Sequence, residues 1–184
     1  MTPFVTFVTP SLWNRPNLRE QCLTSVKAQR MDADIEHLVL PDYVGDGIGA
    51  MYARMPQYAS AVHGEYVHIL ADDDVLEPGA VQELKAFADQ WGYPPVIIVN
   101  ALKYTELGAL VLPLEHHGPP VQGRIDLGCI VTRADVWKQH VKDYGQRYEG
   151  DFDHVSALWN AGHKFLYKPE GLFLRGAVMR GAGE

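Results

Sequence analysis

The chain has 184 residues, 47% of them apolar and 21% charged, with a formal net charge of −7. That length holds one domain with a real core and is short for two. The acidic balance argues against a protein that grips nucleic acid through its phosphates, although residues 133–180 carry a slight basic excess.

Cys22 and Cys129 both lie inside apolar patterns, so they read as buried small hydrophobes rather than as a disulfide framework. The opening "MTPFVTFVTP" has no basic stretch and no small-residue cleavage site, and does not read as a signal peptide. No apolar run approaches the ~18 residues that suggest a membrane span. The expected setting is reducing and cytoplasmic.

Phe4 to Val8 is β-branched and aromatic and predicts a first strand, stopped by Pro10. Leu18, Cys22, Val26 and Gln29 follow at helical spacing behind Pro16. Ile35 to Leu40 predicts a second strand, ended by Pro41-Asp42. Ile48 to Ala61 predicts a helix that Pro56 kinks or splits. Tyr66 to Ala71 predicts a third strand. Val81, Leu84, Ala88 and Trp91 share one face of the next helix, with Pro78 in its first turn. Val96 to Val99 predicts a fourth strand.

Strands alternating with helices predict an α/β fold with a mostly parallel sheet flanked by helices. Ligands of such sheets bind beyond the carboxyl ends of the strands. Thr9-Pro10-Ser11, Asp42-Tyr43 and Asp72-Asp73-Asp74 stand at those ends.

Beyond residue 100, Leu102 to Leu114 predicts a hairpin around Leu107-Gly108, and Glu115 to Gly123 a loop. Ile125 to Thr132 predicts a strand and Ala134 to Val141 a helix. Asp151 opens another helix, with Phe152, Val155 and Trp159 on one side. Phe165 to Tyr167 predicts a last short strand before a tail bearing Arg175 and Arg180. Without repeats or a linker, residues 1–184 read as a single domain.

In an extended chain Asp72 and Asp74 point one way and Asp73 the other. One or two of them could hold a hard divalent cation and leave positions for phosphate oxygens. A turn, with Asp74 or Glu77 capping the helix at Pro78, accounts for them as well. Asp151 likewise reads as a helix cap or as a general base. His116-His117 beside Glu115 lack the spacing of a zinc site. Trp13 either stacks on a ligand or packs in the domain, and His154 faces an acceptor or solvent.

Four ordered segments carry a resemblance: "PSLWNRPNLREQCLTSVKAQ" (10–29), "IEHLVLPD" (35–42), "GEYVHILADDDVLEPGAV" (64–81) and "GDFDHVSALWNAGHKFLYKPEGLF" (150–173). Together they are similar to family 2 glycosyltransferases of the GT-A fold. The resemblance implies an inverting, metal-dependent transfer of a sugar from a nucleotide-diphosphate donor, a UDP-sugar, to an acceptor hydroxyl. Residues 1–100 would form the nucleotide-sugar half and 101–184 the acceptor half.

The resemblance also implies individual roles. Asp42 would hydrogen-bond the nucleotide base, Pro10 and Ser11 would border it, and Arg54 would stand near it, one place early for the family. Asp72 and Asp73 would serve the donor. Asp73, with Asp74 in support, would hold Mn²⁺ or Mg²⁺, and Asp151 would be the catalytic base. Arg175 and Arg180 could reach the diphosphate. A glycan, a lipid-linked glycan or a modified nucleic-acid base would serve as acceptor.

Two departures stand out: Ala71 replaces the first acid of the metal motif, and Gly150 replaces the Glu that usually precedes the base. They leave a non-catalytic nucleotide-sugar binder as an alternative. A nucleotidyltransferase is a weaker one, because Ser11 to Arg15 lacks the glycine-rich basic signature.

Overall fold

The computed structural model describes residues 2–12, 14–29, 35–42, 45, 47–105, 108–114 and 118–178. Trp13, Tyr43, Glu115, His116, His117 and Arg180, singled out in the sequence, lie outside the described residues.

The main sheet has six strands. β1 (Val5–Leu12) and β2 (Ile35–Asp42) pair in parallel, and β1 also pairs in parallel with β3 (Tyr66–Ile69). β5 (Val96–Ile98) pairs in parallel with β9 (Phe165–Tyr167). β8 (Ile130–Arg133) runs antiparallel between β3 and β5, giving the order β2-β1-β3-β8-β5-β9. Side chains alternate between the two faces, as a period of two requires. Phe7, Tyr66 and Leu70 join one apolar cluster, and Val8, Val67 and Ile69 join the other.

Helices cover both faces. α1 (Pro16–Lys27) and α3 (Ala80–Trp91) pack on the first cluster through Cys22, Val26, Val81, Leu84 and Ala88. α2 (Ile48–Arg54) and α4 (Ala134–His140) pack on the second through Met51, Tyr52 and Trp137. α5 (Gly150–Asn160) returns to the first through Val155 and Leu158. Each such large apolar side chain contributes roughly 1.5–3 kcal/mol when fully buried.

A second, four-stranded sheet has the order β4-β10-β6-β7. Its strands are β4 (Asp74–Leu76), β6 (Ala101–Thr105), β7 (Gly108–Leu112) and β10 (Leu174–Val178). β6 and β7 are the expected hairpin; β4 and β10 were not expected. Strands from both halves of the chain therefore share this sheet.

Several boundaries differ from the sequence reading. β1 continues through Pro10 to Leu12. The side of β1 that faces β3 carries Val8, whose carbonyl accepts from Leu70 N–H, and Leu12, whose N–H reaches Asp72. Pro10 lies on that same side, beyond Val8, where the ladder to β3 ends, so its missing donor costs no sheet bond. β2 runs through Pro41 on an edge strand, where proline is tolerated. β3 ends at Ile69, and the chain turns through Ala71, Asp72 and Asp73 into the other sheet.

Pro56 divides its segment as expected, with α2 before it and a 3-10 helix over Met55–Ala61. Pro78 falls outside α3, whose N-cap is Gly79 in the left-handed region, without a side-chain cap. Neither Asp74 nor Glu77 caps that helix. Gln29 does part of the work instead: its Oε1 accepts from Val81 N–H at 3.3 Å and its Nε2 donates to the Glu77 carbonyl at 3.0 Å. Residues 125–132 split into a 3-10 turn, Leu127–Cys129, and β8.

Candidate donor and catalytic site

The carboxyl ends of β1, β2 and β3 lie side by side, and the expected polar groups gather there. Ser11 stands opposite Pro41, and Leu12 opposite Asp42. The turn after β3 closes onto β1: Leu12 N–H donates to Asp72 Oδ2 at 2.8 Å. The Ser11 hydroxyl faces the same carboxylate. Burial pushes the Asp72 carboxyl up, and the Leu12 amide opposes that push.

Arg15, just before α1, reaches across to this turn. Its Nη1 lies 3.1 Å from Asp73 Oδ2 and 4.0 Å from Asp72 Oδ1. Asp73 is the outward carboxylate of the three, with 27% of its side chain exposed.

Asp74 turns the other way, into the second sheet. It is 2% exposed, and both its oxygens accept from Lys103 Nζ, at 2.8 and 2.9 Å. Lys103 also lies 3.0 Å from Asp126 Oδ1. Two carboxylates hold the Lys103 ammonium above its usual range despite burial. The alternation expected of an extended chain does not hold here, because residues 72 and 73 form a turn: Asp72 and Asp73 stay together at the strand-end edge, where Arg15 meets both, and Asp74, the first residue of β4, turns away to Lys103.

Asp42 ends β2 fully buried. It organises the loop that follows, accepting from Gly45 N–H at 3.1 Å and Gly47 N–H at 3.3 Å. Arg54 Nη2 joins this group at 3.4 Å from Asp42 Oδ1, while its Nε donates to the Ala50 carbonyl. One place early in sequence, Arg54 still arrives at Asp42, because the last turn of α2 faces that carboxylate.

Asp151 is the second residue of α5. Its Oδ1 accepts from Phe152 N–H at 2.8 Å, and the Leu127 N–H also faces it. A helix N-terminus favours the ionised form of a carboxyl. Burial outweighs it, pushing the carboxyl up to about 6, with Asp126 adding repulsion. The magnitudes agree: a helix end contributes about 0.3–1 kcal/mol, less than the ~1.4 kcal/mol of one pH unit.

The Gly150 departure has a steric reason. A Cβ at Gly150 would run into the Gly145 carbonyl and come within 2.6 Å of Tyr52 Cδ2. A glutamate has no room there. Arg147 instead clamps Asp153, with Nε 2.9 Å from Oδ2, so Asp153 braces the segment before α5 rather than capping the helix. His154 faces neither acceptor nor solvent: it is 1% exposed, stacks on Tyr144 at 4.0 Å, and burial lowers it to about 4.

Arg175, on β10, pairs with Glu77 at 3.5 Å. Among the described residues no three His, Cys, Asp or Glu side chains form a metal-binding group. No helix among them is long and apolar enough to cross a membrane. The sequence reading missed Lys103, Asp126 and the part played by Arg15. Lys103 had one legible signal, a cation between Leu102 and Tyr104 in a predicted strand.

No family model matches the sequence, and no curated protein matches it. Solved structures do match. TarS from S. aureus is a GT-A-type glycosyltransferase. Its residues 1–349 in complex with UDP-GlcNAc give a TM-score of 0.69 at 15% identity, covering 98% of this chain and 59% of that one. The same portion with UDP gives 0.69 at 10% identity, covering 95% and 60%. A further structure of that portion gives 0.66 at 12% identity, covering 94% and 60%. At such identities the likeness is one of fold, and this chain has a GT-A-like fold. It spans about 60% of the length of those TarS structures.

Proposed function

We propose that this chain transfers a sugar from a nucleotide-diphosphate donor, a UDP-sugar, to an acceptor hydroxyl with inversion at the anomeric carbon. The observation that carries this reading is the gathering of Asp42, Asp72 and Asp73 at neighbouring strand ends of a GT-A-like fold. That TarS structures of this fold hold UDP-GlcNAc and UDP supports a uridine donor.

In this reading Asp42 receives the base. Its contacts to Gly47 and Arg54, at 3.3 and 3.4 Å, are the long ones that a base N–H would replace. Pro10 and Ser11 border the same place. Arg15 supplies positive charge where the diphosphate would lie.

A divalent cation, Mn²⁺ or Mg²⁺, fits Asp73 with Asp72 beside it, because Asp73 is the accessible oxygen donor of the triplet. Asp74 would first have to give up Lys103, so it is not part of this ligand set. When bound, such a cation would neutralise charge on the departing diphosphate.

Asp151 acts as base. The acceptor oxygen attacks the anomeric carbon, its proton passes to the Asp151 carboxylate, and the bond to the diphosphate breaks with its electrons on the nucleotide. A carboxyl near 6 is mostly ionised at neutral pH yet basic enough to take the proton as attack proceeds.

The test is turnover of a panel of UDP-sugars with Mn²⁺, offering glycan, lipid-linked glycan and modified-base acceptors. Transfer, lowered about 10²–10⁴-fold by Asp151→Asn with donor affinity kept, is the expected result. No binding and no hydrolysis of any nucleotide sugar would count against the reading. Ala71 favours a second reading, a binder without turnover, and tight UDP binding with no product in any arm would select it.

A further inference from the structure

Lys103 is a cation held between two carboxylates, Asp74 and Asp126, and the chemistry above leaves it unused. It sits on β6, two strands from Asp74, with β10 between them. Gly176 stands opposite Asp74 on β10. A Cβ at Gly176 would meet Lys103 Cδ at 2.8 Å and Asp74 Oδ1 at 3.1 Å, so the lysine side chain crosses over this glycine to reach its partner. The crossing works only because position 176 has no side chain.

The other end of the network lies at the base. Asp126 Oδ1 accepts from Gly128 N–H at 2.8 Å and so caps the 3-10 turn Leu127–Cys129. That turn presents the Leu127 N–H to Asp151. One ammonium therefore touches Asp74, next to the donor carboxylates, and Asp126, which shapes the backbone facing the base.

We propose that Lys103 is a positioning residue for transfer. Its single ammonium, held by Asp74 and Asp126, keeps the donor carboxylates and the base-bearing segment in one frame, and neutralises the carboxylate that acts on Asp151. The role in transfer rests on the glycosyltransferase reading; the electrostatic link itself does not.

Other groups face these residues. Asp126 from the turn acts on Asp151, and Asp151 in turn faces Tyr52 from α2 and Tyr144 before α5, both held neutral by burial. His68 on β3 and Cys129 face Lys103 and Asp126; burial holds the first neutral and the second as a thiol. Asp74 from β4 also faces Lys103 and Asp126, and burial raises its carboxyl to about 7; Lys103 and Asp126 are therefore the groups to substitute, because both change charge without removing an aromatic ring from the core.

The test is a ¹³C carboxyl titration of Asp151 in the free protein, with Asp151→Asn identifying the resonance. Lys103→Met leaves Asp126 unneutralised and should raise the Asp151 midpoint by about one pH unit. Asp126→Asn, which keeps the Lys103–Asp74 pair, should lower it. The double variant should return it toward wild type. Should Lys103→Met fold poorly, Lys103→Gln is titrated in its place; an unmoved or lowered midpoint there, or an unmoved or raised one in Asp126→Asn, overturns the proposal. So do single variants that shift the midpoint in the same direction. The acid limb of kcat with a UDP-sugar should follow the same shifts, and Lys103→Met, which also frees Asp74 beside the donor carboxylates, should raise KM for the donor where Asp126→Asn does not. Absence of turnover in wild type would count against the activity and leave the titration as the test of the link.

Discussion

Asp151 is where sequence and environment pull hardest against each other. A carboxyl at a helix start would ordinarily be acidic, yet burial beside Asp126 pushes it up to about 6. Because its folded value lies above the unfolded 3.8, its contribution to stability is full below about pH 4 and is lost as pH rises through 6. At pH 8 the ionised group is therefore a cost. Asp151→Asn should stabilise the fold at pH 8 by on the order of 1 kcal/mol, read as a raised melting temperature, and leave it nearly unchanged at pH 4. A lowered melting temperature at pH 8 would show that the carboxylate is better solvated than this account holds. Gly150 belongs to the same scale. Gly150→Ala forces the Gly145 carbonyl or the Tyr52 ring to move, and should cost about 1–3 kcal/mol in urea unfolding. A change under half of that would mean the segment yields easily.

At the scale of elements, the site depends on how α1 grips the start of the second sheet. Ser25 Oγ accepts from Leu76 N–H at 3.1 Å, and Gln29 binds both the Glu77 carbonyl and the Val81 N–H. These contacts fix β4 and α3 on either side of Pro78, and with them the turn that carries Asp72 and Asp73. Gln29→Leu leaves buried polar groups unpaired and should cost about 1–3 kcal/mol per group, read as a lower urea midpoint. UDP affinity should fall with it if the turn loosens. The legibility of these elements follows their length. α1, α3 and α5 show clear periodicity, and β1, β2 and β3 are apolar runs with evident starts. β4 has three residues, and β10 lies in an Arg- and Gly-bearing tail, so neither offers a pattern to read. The prolines misled in two ways: Pro78 stands before α3 rather than in its first turn, and two others wrongly point to strand ends. Pro10 and Pro41 suggested strand ends, because the missing N–H matters only where a partner strand waits for it, and that geometry is tertiary.

For the molecule as a whole, the alternation of strands and helices in the first hundred residues was enough to indicate an α/β fold, and to place the candidate site at the carboxyl ends of the strands. Asp42, Asp72 and Asp73 could be picked out because they follow apolar runs directly. The partition of the triplet could not. Which way Asp74 turns depends on Lys103, 29 residues later, and on the absence of a side chain at Gly176. The steric need for Gly150 was hidden for the same reason, since Gly145 and Tyr52 meet it only in the folded chain. What the molecule presents is an acidic edge, partly neutralised by Arg15, with one accessible carboxylate at Asp73. Calorimetric titration of UDP with Mn²⁺ into wild type and Asp73→Asn tests the central claim most directly. The account predicts saturable binding to wild type that weakens at least about tenfold, or about 1.4 kcal/mol, in the variant. Equal affinity for both proteins, or no binding to wild type, would contradict it.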